Sequence, residues 1–478
     1  MIARDFMLFL PELTYLVAAL ILFFMCLPQK ADHKAIYAVA LALAGLGVAG
    51  ALLGMGQEGH LFFDAYQVDL FSQVFKLILA VAVLLVVGIC HGLAGVEDRY
   101  HADFFLFLFT CGLGMMLMVS AVELMTLYVA LELSSFSLYI LVPLRRGDNL
   151  DVEAGVKYLF IGITASCVML FGMSYIFGVS HTTYLAGIMD RLPLIIQQPA
   201  AMIGLMLTLS GFFFKLAVFP FHFWAPDVYQ GAANQVAAFI ATASKAAAVA
   251  LLIRLTALTG GTSLYFIDVL MVLCVASMTL GNLVAIVQKG IKRMLAYSSV
   301  AHAGYVLMGI LTMSELGYSA AVFYSMAYML MNFAAFGVVV MVATSGQNLA
   351  ISDLAGLHKR SPLLALTLMI ALFSLAGIPP TVGFTGKFLV FAGAMQQGYF
   401  WLVLVGMINA TISLYYYLMV IKAAYLSESP AELPPLVVSM PLRLLNYLLI
   451  AAMVYFGVCP GGFLDLAQAA VRGMMGGD

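Results

Sequence analysis

Residues 201–226 read AMIGLMLTLSGFFFKLAVFPFHFWAP. A long apolar run leads into Lys215, and Pro220, His222, Trp224 and Pro226 follow at once. An apolar run of about 20 residues is long enough to cross a bilayer as a helix. Proline inside that helix removes a backbone donor and clashes with the preceding turn. The helix must therefore break at membrane depth, and such a break survives only where the freed groups face protein or water. A second stretch has the same character: Gly377-Ile-Pro379-Pro380-Thr-Val-Gly383-Phe-Thr-Gly386-Lys387.

The rest of the chain supports a membrane setting. Of 478 residues, 64% are hydrophobic and only 9% charged, with a mean hydropathy of +1.07. A soluble fold keeps roughly 25% charged residues to cover its surface. This composition excludes a soluble enzyme, and a net charge of −2 gives no sign of a nucleic-acid partner. Apolar runs lie near 7–27, 34–54, 70–91, 103–120, 122–143, 154–178, 200–219, 233–257, 264–288, 294–313, 316–344, 361–397, 399–425 and 441–458. None alternates as barrel strands do, so the expectation is an all-α multi-pass membrane protein of about 14 transmembrane helices.

The broken runs are the seventh and the twelfth, five apart. That spacing predicts two five-helix repeats, spans 4–8 (residues 103–257) and spans 9–13 (residues 264–425). An odd number of helices per unit makes the second copy inverted, and broken helices in matching positions point to a transport pathway. Residues 1–100 supply three N-terminal helices and 441–478 a last helix and tail, within a single membrane domain over 1–478. Loop charges set the orientation. Twelve Lys and Arg, among them Lys30, Arg146 and Lys292, fall on one side, against Arg4, Arg191, Arg254 and Arg472 on the other. Both termini are expected on the non-cytoplasmic side.

Five ionisable residues sit inside the spans: Glu132, Lys157, Lys215, Lys245 and Lys387. Each central charge costs about 2.5–3.5 kcal/mol on insertion scales. One carboxylate cannot pair four ammonium groups, so two readings stay open: ion pairs between helices, or a proton relay. Glu132 shares a helix face with Tyr128, Ser135 and Tyr139. Lys157 is one turn beyond Glu153, where a local pair is equally credible, and Lys76 reads as snorkelling to the interface. His302, midway along span 10 with Ser298 and Tyr305 on its face, and His222, in the first break, are either proton carriers or packing groups. The other six histidines read as solvated. The six cysteines read as buried small hydrophobes, with no metal or disulfide spacing. Gly45-Leu-Gly47-Val-Ala-Gly50 lies in an apolar run with no strand before it and is not a dinucleotide site. No cofactor-binding or metal motif occurs, so electrons, if they move, move in another chain.

GFFFKLAVFPFHFWAPDVYQGA (211–232), FIATASK (239–245), IKRMLAYSSVAHAGY (291–305), SLAGIPPTVGFTGKF (374–388) and LYYYLMV (414–420) resemble the N-type antiporter-like membrane subunits of NADH–quinone oxidoreductase, respiratory complex I. The wider family includes subunits of Mrp-type cation/proton antiporters and related membrane-bound hydrogenase-type complexes, which give the alternative reading. Lys387 stands where M-type subunits carry glutamate, and Ala233 replaces the family's usual proline. The resemblance implies a subunit of a proton-translocating NADH:quinone oxidoreductase that has no redox site of its own. Its proton relay would be Glu132, Lys215, Lys245 and Lys387, with Lys157, His302 and His222 as accessory groups. NADH, FMN, iron–sulfur clusters and quinone would be held by partner subunits. The expected neighbours are the M, K and J membrane subunits in a bacterial inner membrane, with no nucleic acid.

Overall fold

The computed structural model describes residues 2–28, 32–145, 150–260, 264–428 and 434–476. Among them the only sheet is a hairpin, Gly59–Leu61 with Tyr66–Val68; the architecture is all-helical. The spans, in chain order, are span 1 Leu10–Cys26, span 2 His33–Leu53, span 3 Leu70–Ile89, span 4 His101–Ser120, span 5 Leu124–Leu141 and span 6 Leu150–Ser180. Span 7 is Pro199–Leu216 followed by the short helix Trp224–Gly231. Then come span 8 Asn234–Ala257, span 9 Leu264–Ile286, span 10 Ile291–Ile310 and span 11 Glu315–Val342. Span 12 is split into Pro362–Ala376 and Val382–Gln396, and spans 13 and 14 are Phe400–Leu426 and Met440–Val458.

Eleven of these contain a helix long and apolar enough to cross a membrane. The other three depart for visible reasons. Span 1 has 17 residues, span 12 is divided, and span 10 is diluted by Lys292, Arg293, Ser298, Ser299 and His302. Spans 8 and 11 are almost wholly enclosed, whereas spans 13 and 14 keep a broad outward-facing surface.

The two breaks close in the same way. Pro199–Leu216 ends at Ala217, which is left-handed (φ 61°), with Ala217 N–H donating to Phe214 O at 3.0 Å and Val218 N–H to Phe213 O at 2.9 Å. Pro362–Ala376 ends at Gly377 (φ 89°), with Gly377 N–H donating to Ser374 O and Ile378 N–H to Phe373 O, both at 3.0 Å. This paired pattern satisfies carbonyls that a helix end otherwise leaves free. Pro220 and Pro380 each follow three residues later and stop the helix from resuming early. Span 8 is also irregular: a π turn, Ile240–Ser244, immediately precedes Lys245. Such single π turns inside α-helices are frequent at functional sites.

Several expectations need correction. Lys76 does not snorkel; it is 1% exposed and ion-paired at 2.9 Å with Glu12, itself 0% exposed. Lys292 and Arg254 are buried and bonded, and so are not loop charges. Lys30 and Arg146 lie outside the described residues. His101 is buried against the His33 ring instead of being solvated. Cys167 and Cys459 are exposed, so not all the cysteines are core. Helices beyond the spans are also present among the described residues: the short Ile2–Leu8 and Leu357–Arg360, Leu185–Ile195, and Gly461–Met474, which packs on spans 3 and 11.

Candidate functional site

Lys215 is the penultimate residue before the first break and is buried. Its Nζ donates to Ser134 Oγ of span 5 at 3.1 Å. Trp224 Nε1 donates to Phe214 O at 2.9 Å, and Tyr158 packs on both rings, which fixes the backbone beside the lysine. Glu132 is two residues before Ser134, about 200° around the helix. It accepts from Ser166 Oγ of span 6 at 2.5 Å. No direct ion pair joins Glu132 to Lys215; the two charges interact through space. Lys157 lies between Glu153 (2.7 Å) and Asp227 (2.8 Å), and Asp227 also holds Arg293 at 2.7 Å. These groups line a cavity of about 220 Å³ on the lysine- and arginine-rich face. His222 is buried among the rings of Phe219 and Phe223, and its Nδ1 has no protein partner. It touches none of the lysines by hydrogen bond.

In the second half the groups converge. Lys245 Nζ donates to Ser299 Oγ at 2.7 Å and to Ser299 O at 3.3 Å. Ser299 and His302 are three residues apart on span 10 and share a face. Lys245, Ser299, His302, Ser325 and Tyr328 surround a cavity of about 10 Å³. His302 Nδ1 is 2.7 Å from Tyr324 Oη, and its Nε2 is 3.2 Å from Tyr417 Oη, which in turn bonds Ser298. Lys387 Nζ stands 4.8 Å over the Tyr305 ring and donates to Leu375 O (3.0 Å) and Ala376 O (2.8 Å). Those carbonyls lie at the C-terminus of the preceding half-helix, where a cation is favoured by the helix dipole. His302 shares the small cavity with Lys245, and its ring is 5.8 Å from the Tyr305 ring that Lys387 overlies.

Sequence reading missed the hydroxyl partners Ser134, Ser166 and Ser299, because polar residues on different spans give no local pattern. It also missed two basic groups behind the first break. Lys292 donates to Ala232 O at 2.9 Å and Arg145 to Gln230 O at 2.9 Å, and both cap the end of Trp224–Gly231.

Broken spans in corresponding settings and a file of enclosed lysines define an antiporter-like membrane subunit. The family described as NADH:quinone oxidoreductase/Mrp antiporter, TM, matches residues 121–413, and the chain belongs to it. NADH-quinone oxidoreductase subunit N 2 of Syntrophobacter fumaroxidans is 55% identical over 98% of this chain and 100% of that protein. Its namesake from Solidesulfovibrio magneticus is 46% identical over 96% of this chain and 97% of that protein. A chain of Thermus thermophilus respiratory complex I with bound aureothin superposes with a TM-score of 0.83 at 32% identity, covering 96% of this chain and 99% of that one. A chain of the Mrp complex from Dietzia sp. DQ12-45-1b shares the fold, with a TM-score of 0.88 at 20% identity over 99% and 98% of the two chains. The chain is thus of the subunit N type of NADH-quinone oxidoreductase.

Proposed function

We propose that this subunit moves protons across the membrane through Glu132, Lys215, Lys245, His302 and Lys387, driven by quinone reduction in other subunits. The observation that carries this reading is His302, hydrogen-bonded on both nitrogens, sharing a cavity with buried Lys245 and set edge-on to the Tyr305 ring under buried Lys387. An imidazole takes a proton at one nitrogen and releases one at the other. A lysine ammonium gives up its proton to Ser299, whose hydroxyl accepts one proton as it passes on another. A positive charge arriving on one group repels the proton on the next, strongly so where water is scarce. Glu132 supplies the opposite charge that makes a proton on buried Lys215 tolerable. Lys157 and His222 are accessory: Lys157 lines the cavity by which protons enter, and His222 stands in the break.

The repeats 103–257 and 264–425 are read as inverted copies, and the identical closure of the two breaks supports this. Partner subunits of the M, K and J types would flank the chain, and NADH, FMN, iron–sulfur clusters and quinone belong to other subunits of the complex. The membrane is the bacterial inner membrane, with both termini away from the cytoplasm. The degree of identity to subunit N proteins favours this reading over an Mrp-type antiporter subunit.

The test is reconstitution of the parent complex in sealed vesicles, with quinone-dependent proton uptake as the readout. Glu132→Gln should lower the proton yield several-fold while the complex still assembles and reduces quinone. Loss of the whole complex instead would make Glu132 a structural group.

A further inference from the structure

Glu12 and Lys76 take no part in that relay, yet both are fully enclosed and 2.9 Å apart. The Tyr66 ring lies 5.1 Å from Lys76 Nζ, and its hydroxyl is buried without a hydrogen-bond partner. Three residues on, Asp69 caps span 3 and holds Arg254 through both carboxylate oxygens, at 2.9 and 3.1 Å. Arg254 lines a cavity of about 460 Å³, with His60, Asp64, Gln67, Tyr184 and Tyr318 among its polar walls. This cavity lies at the membrane face away from the lysine- and arginine-rich loops.

Depth connects these groups to the relay. Lys76 is seven residues beyond Asp69, about 10 Å deeper along span 3, and Lys245 is nine residues before Arg254, about 13 Å deeper along span 8. Span 3 packs against both the π turn before Lys245 and the helix that follows it. A carboxylate, an ammonium, a phenol and a second ion pair therefore lie at depths between that of Lys245 and that of the cavity. Buried charge pairs seldom add stability over apolar packing, so a pair this deep, and outside both repeats, calls for another explanation.

We propose that Glu12, Lys76, Tyr66 and the Asp69–Arg254 pair form an outlet by which protons leave the relay into the 460 Å³ cavity. This rests on the proton-relay reading above. In one turn of the outlet an N–H bond of the Lys76 ammonium breaks and an O–H bond forms on Glu12. The Glu12 O–H bond then breaks, and water reaching in from the cavity takes that proton. The Lys76 amine takes the next proton from the relay and the ion pair is restored, with one proton in and one out.

Removing one partner of a buried pair strands the other, so the informative variant replaces both, Glu12→Leu with Lys76→Met. In the reconstituted complex this double variant should assemble and reduce quinone, with a clearly lower proton yield per quinone reduced, as expected when a proton carrier is lost. A purely structural pair would leave that ratio untouched. Ala257→Trp, which narrows the cavity from its wall, should lower the ratio independently. Wild-type proton yield in the double variant overturns the outlet. If the double variant fails to accumulate, wild-type yield in Ala257→Trp overturns it instead. Lys245→Ala, assayed alongside, separates the two ideas. If Lys245→Ala lowers the yield and the outlet variants do not, the outlet alone is wrong; if Lys245→Ala has no effect, the relay reading fails and the outlet with it.

Discussion

Lys245→Ala in the assembled complex is expected to cut quinone-driven proton translocation by about a hundredfold, the lower range for loss of a positioned acid–base group. Assembly should survive, because removing a charge from mid-membrane relieves about 2.5–3.5 kcal/mol of insertion cost. The sharper comparison is Lys245→Arg. Arginine keeps the positive charge and can still donate to Ser299, but it holds its proton at any physiological pH. A relay that needs only a fixed charge would work with arginine; one that needs a proton to leave would not. Acidification by proteoliposomes, normalised to NADH oxidised, reads the difference. Pumping at the wild-type ratio in the arginine variant would remove Lys245 from the path.

Gly383→Ala should have the largest effect on folding. Gly383 opens the second half of span 12, and its N–H donates to Ser374 Oγ at 3.0 Å across the break. A methyl group there would run into the Ser374 carbonyl oxygen and lie 2.8 Å from Met331 Sδ. Overpacking of a tight core costs about 1–3 kcal/mol, and here the obstacle is backbone that cannot swing aside. Chain accumulated in the membrane should fall several-fold, with a lower melting temperature for whatever remains. Gly45→Ala is the control. A methyl at Gly45 meets nothing within 4 Å, so abundance and activity should be unchanged. That result would also dispose of the glycine pattern at 45–50 as a binding motif.

Both predictions depend on contacts that differ in how far apart they lie in the chain. Hydropathy placed the spans because the cost of exposing a backbone or a charge to lipid is paid residue by residue along each helix. Pro220, Pro379 and Pro380 placed the breaks for an equally local reason: a missing N–H and a steric clash act within one turn. The enclosed lysines were legible too, since a cation inside an apolar run is conspicuous wherever the helix packs. Span 10 was placed by its run at 294–313 as well, although the polar groups that give it interest also lower its hydropathy.

What the amino-acid sequence by itself determined was an all-helical membrane chain, its two broken spans, and the buried charges along them. Tertiary structure alone decided who meets whom. Lys76 looked like a snorkelling residue until Glu12, 64 positions earlier, was seen against it. Lys215 reached Ser134 and not Glu132, because neighbours two apart on a helix point in nearly opposite directions. His302 gained Tyr417 from 115 residues away, and Lys245 gained Ser299 from 54. Lipid solvation is read one helix at a time, but a buried hydrogen bond needs two helices at one depth and one angle. That condition belongs to the packed bundle, not to any single span.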